Sequence, residues 1–153
     1  MAQIITDKSI SRIKQSHRFI IAKTISATAE AAIEAGEFAK QFVYQSPGFK
    51  PRSGELQRAT EWQTVRTASG RIVRIRNRKA YAAPIDLGSK PHVIEARRRK
   101  ALAFSVGGKL IFRRRVNHPG NRPYRFLYRA TNAAGRVLGQ VLAVKMARIS
   151  KQF

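Results

Sequence analysis

Between about Asp7 and Gln45 apolar residues recur at the three-and-four spacing of one helix face: Ile10, Ile13, Ile20, Ile21, Ile25, Ala29, Ala32, Ile33, Ala39, Phe42 and Val43. The pattern predicts one long amphipathic helix. Thr6 or Asp7 caps its start and Ser46-Pro47-Gly48 stops it, because proline has no N–H to donate and disfavours helix in the residue before it. Gly36 softens its middle. The following stretch, Pro47 to Arg58, is rich in turn formers and basic residues and reads as an exposed loop.

Period-two patterning begins after that loop. Trp62–Arg66 and Arg71–Arg76 read as two strands joined by Thr67-Ala68-Ser69-Gly70, with Val73 and Ile75 on one face and Arg74 and Arg76 on the other. Ala80–Leu87 reads as a short helical or turn segment closed by Gly88. A hairpin then spans Leu102 to Val116. A three-residue loop, Gly107-Gly108-Lys109, sets Val106 opposite Leu110, Phe104 opposite Phe112 and Leu102 opposite Arg114, which collects the apolar side chains on one face. A two-residue Gly-Gly loop pairs Leu102 with Arg113 and breaks that face, so the three-residue form is expected. Arg125–Ile149 is helical again, with Leu127, Ala130, Ala134, Val137, Leu138, Val141 and Ile149 near one stripe. Gly135 and Gly139 weaken this helix by about 1 kcal/mol each relative to alanine, which points to close packing of their face. The order predicts an α+β fold: a long N-terminal helix, a small, mostly antiparallel sheet region over about residues 60–118, and a C-terminal helix. At 153 residues one domain covers 1–153.

Charge adds the next constraint. There are 31 Lys+Arg against 8 Asp+Glu, a formal net charge of +23, so the chain repels itself and calls for a polyanionic neighbour: a nucleic acid, an acidic protein surface or an anionic membrane. Glu30, Glu34 and Glu37 fall on the N-terminal helix, which is therefore the least cationic part and lacks the dense basic face of a membrane-surface helix. Cysteine is absent, which removes disulfides and thiolate metal sites. No apolar run approaches the roughly 20 residues of a bilayer span, and the N-terminal residues lack the order of a signal peptide. The expectation is a soluble protein without a membrane partner.

Candidate chemistry is sparse. His17, His92 and His118 are the only histidines, and no metal, nucleophile-elbow or Walker spacing is present. Asp86 with His92 makes a weak acid–base pair at best, and Gly107-Gly108-Lys109 sits between strands, not at a helix N-terminus where phosphate binds. No catalytic residue, cofactor or metal is assigned. The basic clusters are the stronger candidates: Arg71, Arg74, Arg76, Arg78 and Lys79; Arg97, Arg98, Arg99 and Lys100; Arg113, Arg114 and Arg115. They are expected on or beside one sheet, contacting phosphates of double-stranded DNA or carboxylates of an acidic partner, or simply solvated. Tyr81, Tyr124 and Tyr128 flank them without the interleaving of base-stacking modules, so nucleic-acid binding would be independent of sequence.

An ordered set of short motifs spans Ser53 to the C-terminus: Ser53-Gly54-Glu55-Leu56, Tyr81-Ala82-Ala83-Pro84-Ile85-Asp86-Leu87-Gly88-Ser89, Pro91-His92-Val93-Ile94, Lys100-Ala101-Leu102-Ala103-Phe104, Asn117-His118-Pro119-Gly120 and Arg125-Phe126-Leu127-Tyr128-Arg129-Ala130. The set resembles the tail-completion proteins of long-tailed bacteriophages, the minor tail protein Z type. Asp86-Leu87 stand where the family pattern has Glu-Phe, and the entry to the last helix lacks the adjacent proline. The resemblance implies a virion protein without enzymatic activity, a homo-oligomeric ring of six copies around the DNA channel of the neck, present in the host cytoplasm during assembly. Its implied partners are the tail terminator or tail tube, the head-closure or connector proteins, and the passing duplex. It further implies that Tyr81, Asp86, His92, His118, Phe126 and Leu127 contact subunits or a neighbouring ring.

Overall fold

The computed structural model describes residues 7–68, 70–97 and 100–152. The elements are α1 (Asp7–Gln45), α2 (Glu55–Arg58), β1 (Thr60–Thr67), β2 (Gly70–Asn77), α3 (Ala82–Leu87), β3 (His92–Glu95), β4 (Leu102–Val106), β5 (Lys109–Arg113), β6 (Arg115–His118) and α4 (Phe126–Ser150). The class is α+β. Thr6, one of the two expected caps of α1, lies outside the described residues. Instead of one sheet, the described residues form three two-stranded antiparallel ladders, β1–β2, β3–β6 and β4–β5.

The core forms where α4 lies along the second half of α1. The two run antiparallel: Lys145 near the end of α4 reaches Glu30 and Glu34, whereas Arg129 near its start lies over the Phe42 ring. Ala35, Ala39 and Val43 of α1 meet Ala130, Ala134 and Phe126 of α4, with Leu56 and Ala82 closing the ends of the cluster. Alanine at these positions lets the helices approach closely, and Phe126 fills the wider end against Phe49, edge to face at 5.6 Å. The stretch expected as a plain exposed loop thus contains a helical turn, α2, that sends Leu56 into the core.

Gly36 has a sharper role than softening the helix. A Cβ there would lie 2.3 Å from the indole of Trp62, so the missing side chain is what lets β1 lie against α1. On the β1–β2 ribbon Trp62 pairs with Ile75 and Thr64 with Val73, which puts the expected apolar residues of β2 on the same face as the indole. Arg74 and Arg76 occupy the opposite face, as the alternation predicts.

The long stripe of α1 divides in two. All its buried residues lie from Ala27 onward, while Ile10, Ile13, Ile21 and Ile25 are exposed, and so is Ile33 on another side. The geometry explains this. At 1.5 Å per residue α1 is about 58 Å long and α4 about 37 Å, so with its C-terminal half matched to α4 the N-terminal half of α1 extends past that helix, and its isoleucines are left exposed among the described residues. The Gly135–Gly139 face of α4 is likewise open, with nothing within 4 Å of a Cβ built at either glycine.

The ion pairs that tie the helices set a pH window. Hydrogen bonding to Lys145 holds the Glu30 carboxyl below the usual carboxylate range, and the Glu30 hydrogen bond raises Lys145, with Glu34 adding to it. The depressed acid stabilises above its unfolded value and loses that contribution as pH falls through the folded one. The raised lysine loses its contribution as pH rises through its folded value, so the pairing acts between these limits.

Candidate nucleic-acid interface

The hairpin register differs from the expected one. Leu102 pairs with Arg113, Phe104 with Ile111 and Val106 with Lys109, which leaves Gly107 and Gly108 as a two-residue loop. Both glycines have positive φ, 57° and 80°, the condition of the primed turn whose twist matches paired strands. The apolar side chains are therefore split. Leu102, Phe104 and Ile111 are half-buried on one face, and Leu110 (64 % exposed) and Phe112 (58 % exposed) point out on the other.

The far strand also does not run on to Val116 in the same ladder. It bends at Arg114, and β6 pairs with β3, Glu95 opposite Arg115 and His92 opposite His118. The result is one arm in two stages, β3–β6 then β4–β5, joined across the bend by the Ala96 N–H donating to the Arg114 carbonyl at 2.9 Å. None of the described residues between 92 and 118 belongs to the core cluster.

This register gathers two of the basic clusters. Arg97 and Lys100 lie in the connection between β3 and β4, and Arg113, Arg114 and Arg115 lie on the return between β5 and β6, all exposed, at the waist between the stages. Arg98 and Arg99 lie outside the described residues. The first cluster is on the other ribbon and is partly neutralised: Arg76 and Arg78 both reach Glu61, at 3.4 and 2.8 Å, and Lys79 reaches Glu55 at 2.9 Å. Arg74 stands on the outer face, and Arg71 pairs with Arg66 at the ribbon tip. At the waist the in-chain acid is Glu95, 3.7 Å from Arg115, an exposed contact of little energetic weight.

Five of the other acids are already engaged, and Asp7 and Glu37 lie on α1. Glu30 and Glu34 hold Lys145, Glu55 and Glu61 hold the β1–β2 cations, and Asp86 serves a helix terminus. Among the described residues Glu95 is the one acid that reaches a waist arginine, so most of that positive charge is free to meet an outside counter-charge.

The arm joins the body through residues that the motif pattern singles out. Ser89 and Asn121 exchange backbone hydrogen bonds at 3.0 and 3.1 Å, the Ser89 hydroxyl donates to Asn121 Oδ1 at 2.6 Å, and Asn121 Nδ2 donates to the Pro84 carbonyl. The rings of His92 and His118 lie against each other, centroids 5.0 Å apart and tilted by 35°. His92 Nδ1 lies 2.8 Å from the Lys90 carbonyl, which can only accept, so that nitrogen carries a proton; His118 Nδ1 accepts from the Gly120 N–H at 3.0 Å. Gly120 has φ 81°, and a Cβ there would meet the Ser89 carbonyl oxygen at 2.1 Å. Gly120→Ala is therefore expected to break the clamp, at about 1–3 kcal/mol for the overlap alone, read as early loss of amide protection at Ser89 and Asn121.

Asp86 and Phe126 turn inward. The Asp86 carboxylate accepts from the Leu127 N–H at 2.8 Å and its carbonyl from the Arg125 N–H at 2.9 Å, so a residue of α3 caps α4. Asp86→Ala is expected to cost about 1–2 kcal/mol, measured by urea denaturation, and Asp86→Asn less, because an amide oxygen still accepts. Phe126 is 1 % exposed. Of the six residues implied as contacts, Tyr81 is exposed, Leu127 half-buried, and the two histidines occupy the arm's base. Sequence reasoning missed Leu87, 74 % exposed at the end of α3, and Asn121, whose amide ties three segments together. The exposed apolar residue before a closing glycine was a readable signal for Leu87; nothing local announced Asn121.

Among the described residues no helix is long and apolar enough to cross a membrane, and no group of three metal-ligating side chains occurs. No protein-family model, curated protein or solved structure matches the chain.

Proposed function

We propose that the protein is a structural component of a phage neck, a tail-completion protein that joins tail to head as a homo-oligomeric ring of six copies around the DNA channel. The observation that carries this reading is the convergence of the ordered motifs: Asp86, Gly88-Ser89, His92, His118, Gly120 and Phe126 all act at the one junction from which the cationic arm departs. A joint of this kind needs a rigid root, charged surface for a polyanion and exposed apolar surface for neighbours. The arm supplies the charge at its waist and Leu110 and Phe112 near its tip, and the uncovered half of α1 supplies more apolar surface. Electron microscopy of virions with and without the gene product tests it. Separate heads and tails are expected in the deletion, and normally joined particles would sink the proposal.

The waist also favours a second reading, a sequence-independent nucleic-acid-binding protein acting alone. Phosphate contacts without base readout fit exposed arginines on a two-stranded ribbon. A monomer or dimer that binds any duplex with a steep salt dependence, and that is absent from virions, would establish this reading instead.

A further inference from the structure

A cleft of about 460 Å³ opens between the Phe49–Gln57 segment and the root of the arm. Its walls include the aromatic rings of Phe49, Tyr81 and Tyr124, and Lys50 and Arg52 stand exposed at its rim. The acid that borders it, Glu55, is already committed: Lys79 holds its carboxyl below the usual range, with a smaller contribution from the Tyr81 hydroxyl. The rim is thus cationic without an internal counter-charge.

Gln57 gives the cleft its second signal. The residue is 5 % exposed, and its Oε1 has no donor, the one such buried side-chain atom among the described residues. An orphaned buried acceptor costs about 1–3 kcal/mol, and such groups mark places where a partner is missing. Gln57 is one of the residues that line the cleft, and the terminal torsion of glutamine has a broad well, so its amide is free to reorient when a donor arrives.

We propose that this cleft binds an extended, acidic segment of a partner protein. A peptide backbone supplies an N–H to Gln57, an apolar side chain fills the space between the aromatic rings, and a neighbouring carboxylate reaches Lys50 and Arg52. A bare phosphate would leave the aromatic walls empty, and a duplex is too wide to enter. The inference stands apart from the question of which basic cluster faces DNA.

The test uses the full chain and a fluorescein-labelled peptide of alternating glutamate and leucine with one central phenylalanine, against labelled polyglutamate of equal charge. Measurements are made at about 1 M salt, where the Debye length is about 3 Å and diffuse attraction is screened. The mixed peptide is expected to bind and polyglutamate to fail. Tyr81→Ala and Gln57→Leu should each weaken binding about tenfold, and Arg71→Ala, on the other ribbon, should leave it unchanged. Gln57→Leu should hold or raise the melting temperature, because it removes an unpaired buried oxygen. No binding by the mixed peptide, equal binding by polyglutamate, or an undiminished affinity in Tyr81→Ala would overturn the proposal. If Gln57→Leu melts lower, the amide is structural and the role given to it is overturned, while Tyr81→Ala still decides the cleft.

Discussion

Phe126→Ala is expected to lower the stability of the isolated chain by about 3–5 kcal/mol, the usual range for emptying a buried phenylalanine site. Phe126 is 1 % exposed, stacks edge to face on Phe49 and sits in the first turn of α4 where that helix meets Val43 and Leu56. With about 2–4 °C lost per kcal/mol in a chain of this size, the melting temperature should fall by roughly 6–20 °C. Tyr81→Ala, at an exposed ring, should stay within about 0.5 kcal/mol. If Phe126 served a neighbouring subunit instead of the core, the urea midpoint of the monomer would not move and only assembly would suffer.

On the proposal that the waist contacts phosphates, replacing Arg113, Arg114 and Arg115 together with alanine is expected to weaken binding of duplex DNA strongly while leaving the fold intact. Each phosphate contact contributes about 0.9 to the slope of log affinity against log salt, so three lost contacts make that slope shallower by about 2.7. All three side chains are exposed; Glu95 lies at a loose 3.7 Å from Arg115, and Arg113 donates to the Phe112 carbonyl at 3.2 Å. Arg76→Ala with Arg78→Ala is the comparison, since both arginines are already held by Glu61. An equal change of slope for the two variants would show that DNA does not distinguish the waist from the β1–β2 ribbon.

The parts of this fold that were legible in the sequence are those with a core to answer to. The alternation of β2 places Val73 and Ile75 toward α1 because burial enforces a face, and Gly88 ends α3 because its φ of 83° suits glycine. The hairpin register failed for the opposite reason. Collecting Leu102, Phe104, Leu110 and Phe112 on one face presumes a core beneath the hairpin, and the arm has none; turn chemistry, two glycines at positive φ, then decides the pairing. The division of α1 was illegible because its stripe continues unchanged past the point where α4 ends. The candidate site was half legible. Runs of arginine are plain in one dimension, but that Arg97 and Lys100 share one waist with Arg113–Arg115 depends on a bend at Arg114 that no local pattern announces. The cap from Asp86 to Leu127 crosses 41 positions and carries no sequence signal of its own.

The clamp at the arm's base has a mechanical meaning. Both strands of the arm leave the body beside one pair of residues, Ser89 and Asn121, and from Asn121 the chain needs only Arg122 to Arg125 to reach the first turn of α4. Arg125 completes that path in the left-handed region at φ 50°, held there by the Asp86 carbonyl. The arm is therefore a lever with a short root: a load applied near Leu110 or at the waist is delivered to the capped end of α4, the helix that closes the core, and not dissipated in a slack connection.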